Sequence, residues 1–116
     1  MLKMLAAIAL SLPLLLVLPF AQADVGLTWI PLGYQQISAP AAATPLTVPA
    51  GARMALITVS GQSVRWRDDG TAPTAAIGVL LPVTTSGLPF QYSGTLTAFQ
   101  VIQTAASATV DVAYYR

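Results

Sequence analysis

The stretch ATVDVAYY, residues 108–115, decides the fold class of this chain. Ala108, Val110, Val112 and Tyr114 occupy every second position, and Thr109, Asp111, Ala113 and Tyr115 fill the places between them. A period of two puts the first set on one face of a β-strand and the second on the other. The apolar set seeks a core, and Asp111 points away from it.

Outward from this segment the same patterning dominates, with turn residues returning every 8–12 positions, the spacing of a sandwich or barrel. Strands are expected near Thr28–Tyr34, Thr44–Val48, Arg53–Ser60, Ser63–Arg67, Ala76–Leu81, Phe90–Tyr92, Leu96–Gln103 and Ala108–Tyr115. Pro49-Ala50-Gly51 and Ser93-Gly94 read as turns, and Gly61-Gln62 suits a tight hairpin. No stretch sustains apolar residues at i, i+3, i+4 and i+7, so helix is essentially absent from this reading. Two strands look central. Ala55, Ile57 and Val59 oppose Met54 and Leu56, and Phe99 and Val101 oppose Leu96, Ala98 and Ile102, so both faces of each seek cover. The expectation is an all-β chain: a single small antiparallel β-sandwich, jelly-roll-like, of about eight short strands over residues 24–116. Burying Ile57, Val59, Trp66, Phe99, Val101, Val110 and Val112 at ~1.5–3 kcal/mol each is ample for a domain this small.

Residues 1–23 stand apart. A short positive start at Met1-Leu2-Lys3 precedes an apolar run from Met4 to Phe20, and Ala21-Gln22-Ala23 supplies small residues where a signal peptidase reads. Cleavage after Ala23 would leave Asp24 as the mature N-terminus. The alternative is an uncleaved membrane anchor, for which about 17 apolar residues is the lower limit, and Pro13 and Pro19 interrupt them.

Composition narrows the function classes. The 116 residues are 55% hydrophobic, with five Lys or Arg against four Asp or Glu. There is no His and no Cys, and Lys3 is the only lysine. From Asp24 onward Arg53, Arg65, Arg67 and Arg116 balance Asp24, Asp68, Asp69 and Asp111. Clustered cations for nucleic acid are missing. Ser60, Ser63, Ser86, Ser93 and Ser107 have no His or Lys base in the mature chain. No metal or cofactor is expected, and the reading is non-enzymatic.

One cluster stands out: Val64-Arg65-Trp66-Arg67-Asp68-Asp69-Gly70. Val64 and Trp66 share one face, Arg65 and Arg67 the other, and Asp68-Asp69-Gly70 ends the strand in a turn. Two adjacent carboxylates are a weak start on the six to eight oxygens Ca²⁺ requires. Nor do neighbours in one turn face each other across a sugar as a glycosidase pair must. Two readings stay open: a solvated hairpin with local Arg–Asp pairing, or a subunit contact in which Arg65, Arg67, Asp68 and Asp69 meet a neighbour. Asp111, facing away from Val110 and Val112, is the candidate carboxylate on the neighbouring copy. Trp29, Tyr34, Trp66, Tyr92, Tyr114 and Tyr115 could make a sugar platform, although aromatics on alternating strands more often fill a core.

PAGARMALITVSGQSVRWRDDGTAPTAAIGVLLP (residues 49–82) and LTAFQVIQTAASATVDVAYYR (residues 96–116) resemble a group of small proteins of tailed bacteriophages and prophages. The Arg-Trp-Arg-Asp-Asp-Gly-Thr-Ala-Pro-Thr run is the specific part of that likeness. The resemblance implies a virion component that decorates or cements a capsid. Its partners would be protein subunits, both copies of itself in a homo-oligomer and the major capsid protein. The leader departs from it and supports the alternative, an exported (periplasmic or secreted) module binding carbohydrate or protein. A membrane is involved only through residues 1–23, if they are retained.

Overall fold

The computed structural model describes residues 28–116, so the signal-peptide or anchor expectation for residues 1–23 and the mature start at Asp24 lie outside the described residues. The described residues form eight strands: β1 (Pro31–Ser38), β2 (Thr44–Pro45), β3 (Met54–Ser60), β4 (Val64–Arg67), β5 (Val79–Leu81), β6 (Phe90–Tyr92), β7 (Gln100–Gln103) and β8 (Thr109–Tyr115). They pair antiparallel into two four-stranded sheets ordered β1-β8-β3-β6 and β2-β7-β4-β5. Apart from the β4–β5 pair, every step from one strand to the next changes sheet. That double four-strand order is a jelly roll, in which each sheet's inner face covers the other.

The expected alternation of the last strand holds. Ala108, Val110, Val112 and Tyr114 are buried and the residues between them are half-exposed. β8 lies between β1 and β3, with Val110 opposite Ile37 and Val59, and Val112 opposite Ile57. Ile37, Ile57, Val59, Val110 and Val112 from the first sheet meet Leu46, Val64, Phe99 and Val101 from the second sheet and its flanking turns. The two strands read as central are interior, β3 between β8 and β6 and β7 between β2 and β4. Met54 is buried but stands outside that core cluster, on the face opposite Ala55.

Four strands differ from the sequence reading by more than a single residue, and one turn differs as well. The first strand runs Pro31–Ser38, not Thr28–Tyr34, because Gln35 to Ser38 find partners in Val112 to Thr109. The second stops at Pro45, since Thr47 N–H donates to Gln35 Oε1 and not to a strand. The fifth starts at Val79, because Thr74 and Ile77 close a turn on each other through both backbone amides. Leu96–Ala98 is a single 3₁₀ turn, with Ala98 N–H donating to Thr95 O and Phe99 N–H to Leu96 O; only from Gln100 does the chain join the sheet. Gly61-Gln62 makes no hairpin, because β3 and β4 belong to different sheets. Gly61 has φ +84°, and a Cβ there would sit 2.2 Å from Ser107 O. The arch between the sheets therefore passes so close to the β7–β8 turn that only glycine fits.

Candidate functional site

The charged cluster forms the wall of an open groove of about 390 Å³, lined by Trp66, Arg67, Asp68, Asp69, Ile77, Gly78 and Val79. Its base is aromatic. Trp66 stacks on the fully buried Phe99 with centroids 4.9 Å apart and planes 16° off parallel. Tyr92 meets Trp66 edge-on at 5.6 Å, and Phe90 lies 5.8 Å away. Offset and edge-to-face pairs of this kind hold ring orientation as well as burying area. The Trp66 side that lines the groove therefore sits on a fixed support.

Each charged residue is committed within the chain. Arg67 Nε and Nη2 reach Asp69 Oδ1 and Oδ2 at 3.0 and 2.5 Å, a two-pronged pair. That bond chiefly holds the Asp69 carboxyl below its usual range, helped by Thr71 N–H, and raises the Arg67 guanidinium above its own. Gly70, at φ +87°, completes the turn. Arg65 donates from Nε to Ala75 O at 3.1 Å and from Nη1 to Gly78 O at 3.0 Å, which clamps the far wall of the groove onto β4. Gly78 fits beneath this clamp because a Cβ there would lie 3.2 Å from Arg65 Cβ, Pro73 Cβ and Trp66 O alike. Asp68 Oδ2 accepts the Tyr92 hydroxyl at 2.5 Å, tying the end of β4 to β6 in the opposite sheet. Burial, then the Asp68 bond, pushes the Tyr92 phenol up to about 12.

Asp111 is elsewhere. It lies on the outer face of the first sheet, whereas Arg65 and Arg67 lie on the outer face of the second. Two outer faces of a sandwich point apart, so an Arg65–Asp111 or Arg67–Asp111 contact requires two copies of the chain. Within one copy Asp111 Oδ1 accepts both the Tyr34 hydroxyl at 2.6 Å and Gln36 Nε2 at 2.8 Å. The Asp111 bond is the main reason the Tyr34 phenol sits above its ordinary value. The five candidate residues thus divide into Arg67, Asp68 and Asp69, which line the groove, Arg65, which braces its far wall, and Asp111 alone.

Ile77, Gly78 and Val79 were not singled out in the sequence, and neither was the Tyr92–Asp68 link. Val79 reaches the groove because it pairs with Trp66 across β4 and β5, a register fixed only by folding. The sole local hint was the glycine between two β-branched residues at Ile77-Gly78-Val79.

Ile77 is 60% exposed, Val79 52% and Leu80 49%, and β5 is an edge strand of its sheet among the described residues. Among the described residues no group of three or more His, Cys, Asp or Glu is placed to hold a metal ion. No described helix is long and apolar enough to cross a membrane. No family model, characterised protein or solved structure matches the chain.

Proposed function

We propose that this protein is a non-enzymatic structural subunit of a phage particle, a small jelly roll that decorates or cements the capsid by gripping neighbouring protein subunits. The observation that carries the reading is the edge of the second sheet. Ile77 and Val79 are exposed beside the Trp66 groove and Leu80 is exposed on the other face of β5, a strand whose outer backbone edge has no partner strand among the described residues. An open apolar edge is a hazard in an isolated domain and a ready interface in an assembled one. The groove suits an apolar side chain from the partner, seated against Trp66 as interface anchors are. Arg65 and Arg67 act here by shaping the walls of that groove. The resemblance to small tailed-phage proteins supports the same reading.

Quantitative mass spectrometry of particles purified from the encoding phage or lysogen tests it. The expected result is the chain in fixed ratio to the major capsid protein, and loss of that incorporation in an Ile77→Asp/Leu80→Asp variant that still folds. Particles free of the chain overturn the virion role. The leader-like residues 1–23 favour the second reading, an exported binding module, and recovery of the processed chain from periplasm or medium would select it.

A further inference from the structure

The outer face of the first sheet is built unlike the groove. Of the residues in β1, β8, β3 and β6, Asp111 alone carries a charge. Its partners are two neutral donors, and both act on Oδ1. Oδ2 accepts no hydrogen bond among the described residues, and no described cation pairs with Asp111. A half-exposed carboxylate with one occupied and one open oxygen is a strong, oriented acceptor for a neutral hydroxyl.

Beside it stands Tyr34, 65% exposed and so the most open aromatic ring among the described residues. A surface tyrosine normally samples several rotamers, but here the hydroxyl is held diagonally across the β1–β8 pair. The ring is consequently an ordered apolar plate next to an acceptor. Gln36 is held the same way through Nε2, which leaves its Oε1 as a second acceptor on the same row. The half-exposed Tyr115 lies on that face as well, opposite Pro31 and one diagonal step from Tyr34.

We propose that Tyr34, Gln36 and Asp111 form a binding site for a neutral saccharide, with a pyranose ring stacked on Tyr34 and a ring hydroxyl donating to Asp111 Oδ2. A pyranose offers an apolar face of C–H bonds and hydroxyl donors at its rim, which matches an aromatic plate with acceptors beside it. The lone carboxylate also sets the class. With no counter-charge on the sheet, an anionic sugar such as a uronate is repelled, and a neutral hexose or N-acetylhexosamine is accepted. Arrangement in a shallow row on a sheet face suits an internal or terminal unit of a glycan chain better than an enclosed monosaccharide. This site goes beyond the structural role and is independent of it, because it lies on the first sheet and the apolar edge lies on the second.

The test uses the full chain against neutral oligosaccharides of glucose, galactose and N-acetylglucosamine, with a galacturonate oligomer as the anionic control. Binding is followed by ¹H–¹⁵N chemical shifts and by titration calorimetry. The expected result is binding of at least one neutral oligomer, with the largest shifts at Tyr34, Gln36 and Asp111. Tyr34→Ala should weaken it about tenfold or more, the loss of a ~1.4 kcal/mol stacking contact. Asp111→Asn should weaken it several-fold, and Tyr34→Phe, which keeps the plate and loses its tether, by less than Tyr34→Ala. Spectra of the variants that keep wild-type dispersion establish that folding is intact. No shift with any neutral oligomer at millimolar concentration overturns the proposal, as does binding that is unchanged in Tyr34→Ala and Asp111→Asn. Loss of particle incorporation in these variants, with no sugar binding by wild type, would reassign the face to a protein partner and equally overturn it.

Discussion

Two buried phenols make the domain sensitive to alkali, and the size of the effect follows from their surroundings. Tyr92 is 6% exposed and Tyr114 1%. Burial is the first cause that pushes each from 10.0 up to about 12. A phenol whose folded pKa exceeds its unfolded one favours the folded state while it stays protonated. That contribution is complete below about pH 10 and is lost as pH rises from 10 to 12. Two pKa units at ~1.4 kcal/mol each set a ceiling of about 2.7 kcal/mol per tyrosine, and because both hydroxyls are only part-buried, solvent screening brings each to about half of that. Against a whole stability of about 5–15 kcal/mol for a small domain, the pair is a sizeable fraction. Absorbance near 295 nm should therefore show Tyr34 ionising with far-ultraviolet circular dichroism unchanged, and Tyr92 and Tyr114 ionising only in a cooperative step that also abolishes the β signal. Tyr114→Phe sharpens the test. It removes the 2.6 Å bond from the hydroxyl to Gln35 Oε1, which costs about 1 kcal/mol near neutrality. It also removes one alkaline liability, so its stability curve should cross the wild type near pH ~11 and lie above it beyond. Tyr92 and Tyr114 titrating near pH 10 with the fold intact would refute the reasoning, as would a variant that stays below wild type at every pH.

Gly61→Ala places its Cβ 2.2 Å from Ser107 O at φ +84°, so thermal melts should show a loss of about 3 kcal/mol, a fall of more than 10 °C. Gly70→Ala shares the conformation, φ +87°, but meets nothing within 4 Å; it should lose only the backbone term, about 1 kcal/mol. Phe99→Ala removes a fully buried ring from beneath Trp66 and should cost about 3–5 kcal/mol in denaturant titrations. Asp69 is held below its ordinary 3.8 by Arg67. The order of the 67–71 turn is therefore fully present above pH 3.8 and lost as pH falls further, and amide resonances of Thr71 will report this.

The fold could be read in the sequence wherever burial is one-sided. Val110, Val112 and Tyr114 face Ile57 and Val59 across the β8–β3 pair, and a one-residue slip would expose all five, so alternation alone fixed the strand and its inner face. The failures occur where side chains compete with the ladder or where connections leave the sheet. Leu96–Ala98 alternates acceptably but coils into a 3₁₀ turn, since Leu96 must drop into the core before β7 starts. Gly61-Gln62 has hairpin chemistry, yet its strands part into different sheets because β3 is already flanked by β8 and β6. Turn composition reports local conformation and is silent on which sheet receives the next strand.

The groove shows the same limit at the level of chemistry. The conspicuous charges in and behind it, Arg65, Arg67, Asp68 and Asp69, stand out in the sequence because half of the eight charged side chains from Asp24 onward fall in five positions. Folding assigns them construction work. Arg65 holds the 75–78 segment, Asp68 ties β4 to β6, and Arg67 and Asp69 close the turn upon themselves. A guanidinium already bonded to two carbonyls offers a partner little that is new. The open chemistry lies instead in residues that look ordinary one at a time: Ile77 and Val79 beside Trp66, and Tyr34 and Gln36 around Asp111. Neither set is contiguous, and each is assembled by a cross-strand register, β4 with β5 in one case and β1 with β8 in the other. An exposed isoleucine or tyrosine means little alone; it enters the proposed contact surfaces only because strand pairing sets it beside a second such residue or an open acceptor. In a domain this poor in charge, the proposed contact surfaces rest on the pairing of strands more than on the motif that catches the eye.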